Sequence, residues 1–78
     1  MREKEQRLVI TFHTTVQAMA AEGLLKEKGV SGRLIPVPRE ISAGCGLAWS
    51  APPRAEMDLK REMEKAGLTW EGWQILVI

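Results

Sequence analysis

Cys45 is the one thiol of this 78-residue chain, and it stands between Gly44 and Gly46 in the stretch PVPREISAGCGLAW, a few positions after Arg39. Neighbours without a Cβ let another chain's sulfur or backbone come close, and they let a turn take positive φ. A positive charge such as Arg39 favours the thiolate, which is the reactive form of the group. His13, the single imidazole, is a candidate for proton transfer to and from that sulfur. One thiolate is enough to attack a donor sulfur, whereas a dithiol oxidoreductase needs a second, resolving thiol. One cysteine forms no internal disulfide, and one cysteine with one histidine falls short of a closed zinc site, so no metal or cofactor is expected. The competing reading makes Cys45 a small buried hydrophobe, His13 a polar strand-end residue and Arg39 a solvated hairpin charge. A turn of this composition belongs on a surface, which favours a presented thiol.

The elements that must position Cys45 are legible around it. RLVITFH alternates, with Leu8, Ile10 and Phe12 on one face and Val9, Thr11 and His13 on the other, and reads as a strand. TTVQAMAAEGLLKEKG follows as a helix, with Thr14 and Gln17 in capping-box spacing, Val16, Met19, Ala20, Gly23 and Leu24 as its apolar stripe, and Gly29 as the stop. GRLIPVP is a second strand, placed at a sheet edge because Pro36 and Pro38 have no N–H to donate. LAWS is a third. PPRAEMDLKREMEKAG is a helix with Pro53 near its start, Ala55, Leu59, Met63 and Ala66 along one face, Met57 off that face, and Gly67 as terminator. GWQILVI is the last strand.

Strand, helix, strand, strand, helix, strand, with LLKEKGV echoed by EMEKAGL, predicts an α+β fold: a ferredoxin-like βαββαβ sandwich. Its four-stranded antiparallel sheet would have the order 4-1-3-2 with both helices on one face. Residues 1–6 are expected as a charged tail and 7–78 as a single domain. In this topology His13, the start of the first helix and Cys45 meet at one end of the sheet. The unpaired N–H groups of the helix start carry partial positive charge that favours a thiolate. Trp70 and Trp73 begin at the same end, where they would wall the site or meet a partner, or else serve as core and edge packing.

Apolar residues make up 45% of the chain and charged residues 27%, the balance of a folded domain. Eleven basic against ten acidic residues leave a formal charge of +1, which gives no general pull toward nucleic acid or an anionic membrane. A charged MREKEQR start and the lack of a long apolar run predict a cytoplasmic protein without a membrane span.

The run LIPVPREISAGCG, from Leu34 through Gly46, resembles the pattern IP.PR..S..CG of a family of small bacterial selenium or sulfur carrier-like domains, and the resemblance extends over about residues 7–75. It implies that Cys45 is the carrier thiol, with Pro38, Arg39, Ser42 and Gly46 as the rest of the signature, and Thr11, His13 and Thr14 in the family's strand-to-helix segment. The implied function is to take a sulfur or selenium atom from a persulfide donor of the cysteine desulfurase type, hold it as a persulfide or selenosulfide, and yield it to an acceptor protein such as selenophosphate synthetase. That makes the chain a carrier rather than an enzyme.

The alternative is a small regulatory or ligand-binding module in which Cys45 is incidental. It would self-associate as a homodimer through an open sheet face left apolar by Val9, Leu34, Leu76 or their alternates. Single-stranded RNA binding is disfavoured by the charge balance and by the lack of paired surface aromatics.

Overall fold

The computed structural model describes residues 4–38, 41 and 45–78. The elements run β1 (Gln6–Thr11), α1 (Thr15–Glu27), β2 (Arg33–Pro36), β3 (Leu47–Ala51), a 3-10 turn (Pro53–Ala55), α2 (Glu56–Lys65) and β4 (Gly72–Val77). The four strands form one antiparallel sheet in the order β2-β3-β1-β4. This is the expected order read from the other edge.

Alternation sorts the side chains. Leu8 pairs with Ala51 and Ile75, Ile10 with Trp49 and Trp73, and Leu34 with Trp49, so these residues share one face. That face carries the core: Leu8, Ile10, Phe12, Trp49 and Ala51 form one buried cluster with Ala18, Ala21 and Leu25 of α1 and Leu59 and Met63 of α2. Both helices therefore lie on the same side of the sheet. The other face holds Arg7, Val9, Thr11, Ala48, Ser50, Gln74 and Leu76. Its centre is closed, for Val9 and Ala48 are fully buried, and Arg7 reaches across to donate to Ser50 Oγ at 3.1 Å. Of the residues expected to leave one face apolar, two are placed otherwise: Val9 is inaccessible and Leu34 packs against the core on the opposite side.

The stripe expected on α1 is also corrected. Val16, Met19, Ala20 and Gly23 face solvent, with Val16 77% and Met19 60% exposed, and the buried residues are Ala18, Ala21 and Leu25. The cause is volume. Trp49 and Phe12 fill the layer beneath the helix, so the side of α1 that meets them is mostly alanine, and its larger side chains turn outward. On α2 the stripe of Ala55, Leu59 and Met63 is buried, Ala66 is exposed and Met57 points away at 80% exposure.

The echo between LLKEKGV and EMEKAGL has a structural cause. Gly29 and Gly67 both take positive φ (70° and 72°) just past a helix end. The next residue in each case donates back to the last helical turn, Val30 to Leu25 and Leu68 to Met63, both at 2.9 Å. These are two copies of the glycine stop in which the residue after the glycine is apolar and packs inward, as Val30 and Leu68 do.

Candidate functional site

Cys45 lies two residues before β3, on the helix side of the sheet, half-buried at the margin of the core. Gly46, with φ of 76°, follows it, and with nothing near a would-be Cβ it is backbone conformation that calls for glycine there. The Cys45 Sγ sits 3.4 Å from both the N and the O of Leu47. The Leu47 N–H donates to the sulfur, and the S–H has the Leu47 carbonyl as its acceptor.

The strand pattern fixes which way this sulfur faces. Glu5 and Ile78 exchange backbone hydrogen bonds, and Val37 donates to Gly46 O. By antiparallel alternation Arg7, Val9 and Thr11 therefore bond toward β4, and Gly46, Ala48 and Ser50 toward β2. Leu47 is left pointing toward β1, at the level of Phe12, one step beyond the Thr11–Ala48 pair that ends the β1–β3 ladder. The sulfur takes the Leu47 groups that a further rung would have used. It sits between the start of β3 and the end of β1.

The chain leaves β1 through Phe12 and His13 and enters α1, which packs over β3 and β2. The start of α1 is consequently at the same end of the sheet as Cys45. The Thr14 hydroxyl accepts from Gln17 N at 3.1 Å, and the Gln17 side chain accepts from His13 N at 3.1 Å, so the capping box is present with its return arm one residue earlier than usual. The first turn of α1 contains no acidic residue, whereas α2 begins with Glu56 and Asp58. The partial positive charge at the α1 start is left uncompensated by a local carboxylate. His13 is exposed at this end.

Arg39, Ser42 and Gly44, three of the residues expected at the site, lie outside the described residues. Trp70 and Trp73 lie along the β4 edge, whose start is at the same end of the sheet as the end of β1. Trp73 is on β4, two strands from β3, where it donates to Glu56 Oε2 at 3.0 Å, lies 5.2 Å beneath Lys60 Nζ, and meets Trp70 at 5.1 Å between centroids. Trp70 lines a shallow cavity of about 220 Å³ with Glu64, Leu68 and Thr69. Both belong to the α2 side.

Two features were not foreseen. The backbone of Leu47 is the sulfur's partner, which no residue type announces. Gln17 also donates from Nε2 to Thr69 Oγ1 at 3.0 Å, tying the start of α1 to the segment that leads into β4. The capping spacing signalled Gln17 but not this reach.

Among the described residues, no helix is long and apolar enough to cross a membrane. No curated protein and no solved structure matches the chain. A family model described as "Putative Se/S carrier protein-like" matches residues 7–74, which span both helices and all of the sheet except the first residue of β1 and the last three of β4. The chain belongs to this selenium and sulfur carrier-like family.

Proposed function

We propose that the protein carries sulfur or selenium on Cys45 as a persulfide or selenosulfide. The observation that carries this reading is the setting of the sulfur. It is half-buried at one end of the sheet, it accepts a backbone N–H, and the start of α1 lies at the same end without a local acid. Membership of the carrier family supports the same assignment. The strand order and the two helices on one face support a ferredoxin-like sandwich as the scaffold.

The Cys45 thiolate attacks the outer sulfur of a donor persulfide. A bond forms between Cys45 Sγ and that sulfur, the donor's own S–S bond breaks, and its inner sulfur leaves with the electron pair as a thiolate. No external oxidant is consumed. Delivery repeats the exchange, with an acceptor nucleophile attacking the outer atom and Cys45 leaving as thiolate. Selenium follows the same course. In this proposal Arg39 supplies positive charge, His13 handles the proton, Ser42 and Gly44 belong to the same site, and Gly46 keeps the approach open. The donor is a cysteine desulfurase-type enzyme, and the acceptor is a protein such as selenophosphate synthetase.

Intact mass spectrometry tests the proposal. After incubation with a persulfide donor the wild type gains about 32 Da, one sulfur atom added by exchange, and Cys45→Ser gains nothing. A wild type that takes up neither element from several donors, yet binds a small metabolite, would replace the carrier with a regulatory module.

A further inference from the structure

Among the described residues, the outer edge of β4 is open and the outer edge of β2 is blocked. By the alternation that directs Gly72, Gln74, Leu76 and Ile78 toward β1, the N–H and C=O groups of Trp73, Ile75 and Val77 point away from the sheet. Among the described residues they have no backbone partner. The side chains of Ile75 and Val77 are 51% and 55% exposed on the helix face, and Met57 of α2 is 80% exposed. Glu56 and Lys60, which meet Trp73, show that α2 turns this flank toward β4. The segment GWQILVI has no charged side chain, no proline and no lysine to deter pairing.

We infer that β4 pairs antiparallel with β4 of a second copy of this chain across a two-fold axis at Ile75, giving a continuous eight-stranded sheet. Among antiparallel self-pairings, the one centred on Ile75 uses all three outward residues of β4. Centred on Ile75, Trp73 faces the second copy's Val77 and Ile75 faces its own counterpart, so each outward N–H finds an outward C=O. The cross-strand neighbours on the helix face are then tryptophan with valine and isoleucine with isoleucine, and no like charges oppose one another. The assembly stops at two because the far edge of each copy is β2. There the outward positions are Leu34 and Pro36, with Pro38 continuing the alternation, and the prolines have no N–H to offer. A six-residue strand is about 20 Å long. Even with Met57 alongside, a strip of that length falls well short of the roughly 800 Å² per partner that stable interfaces bury, so the dimer dissociates on dilution. This inference does not rest on Cys45.

Sedimentation of the full chain over about 1 to 500 µM, the range in which small interfaces come apart, should show the mass rising from 8.7 kDa toward twice that value. Ile75→Pro removes an outward N–H and no hydrogen bond to β1, so the variant should remain at the single-chain mass with an unchanged circular dichroism spectrum. Ile75→Lys, which places like charges across the axis, does the same and stands in if the proline variant fails to fold. For the register, Cys45→Ser/Ile75→Cys should form an interchain disulfide under mild oxidation, and Cys45→Ser/Val77→Cys should not. A wild type of single-chain mass at every concentration, a dimer that survives both Ile75 substitutions, or equal cross-linking at Val77 overturns the inference.

Discussion

β2 and β4 both end the sheet, but their edges are built on opposite rules. β2 is four residues long, opens with Arg33 and places Pro36 where its missing N–H would have faced solvent. β4 is six residues long, neutral, and keeps every outward donor. A sheet with two open edges invites chain growth, whereas one with a single open edge can close as a pair. The same contrast separates the two ends of the molecule's chemistry. The blocked strand leads into the segment that reaches Cys45, while the open strand lies on the far side of β1. Pairing through β4 leaves the thiol's end of the sheet free for other proteins.

The largest way to break the comparison is at the start of β2. Gly32 has φ of 135°, and a Cβ there would lie 2.5 Å from Trp49 Nε1 and 2.7 Å from Ser50 O. Trp49 is fully buried at the centre of the core and cannot retreat without moving its neighbours. Gly32→Ala therefore combines backbone strain with overpacking and should cost about 3 kcal/mol. In a domain of this size that corresponds to a fall of roughly 15 °C in Tm, read by thermal denaturation. A drop of only a degree or two would show that β2 can lift from Trp49 and that its edge is less fixed than its contacts suggest.

A subtler change acts on assembly. Pro36→Val restores an outward N–H to β2 without touching the ladder to β3, because that position bonds away from β3. Stability should change by less than about 1 kcal/mol, the span of strand preferences. Light scattering should show species larger than the dimer as the second edge opens. If the variant has the same mass distribution as the wild type, Pro36 is not what keeps the β2 edge from pairing.

Much of this arrangement was legible in the sequence because it rests on strong local rules. The prolines of GRLIPVP placed β2 at an edge, and the alternation of RLVITFH put Leu8, Ile10 and Phe12 inward together. Gly29 and Gly67 marked both helix ends because each takes a positive φ. The outward face of α1 was not legible. Val16 and Met19 look like core residues until the bulk of Trp49 and Phe12 is in place, and a single stretch of sequence does not reveal how much volume the opposite layer already fills. For the site, the topology brought the end of β1, the start of α1 and Cys45 to one end. The bond between the sulfur and Leu47 depends on where the β1–β3 ladder stops, which is a tertiary outcome.

The smallest effect concerns how β4 is held from above. Lys60 Nζ lies 5.2 Å from the Trp73 ring centroid and 3.7 Å from Glu56 Oε2, and its side chain is about half exposed. An exposed cation–π contact and an exposed ion pair are each modest, so Lys60→Ala should cost about 0.5 kcal/mol. That is roughly 2–4 °C in Tm. The sharper measurement is the same substitution in the Ile75→Pro background. In the proposed pair Trp73 meets Val77 of the second copy, so loosening its seat weakens both the fold and the dimer. The loss in Tm should then be larger in the wild type at high concentration than in Ile75→Pro. Equal losses in the two backgrounds would mean that Trp73 serves only its own chain, and would move the dimer contact off the helix face of β4.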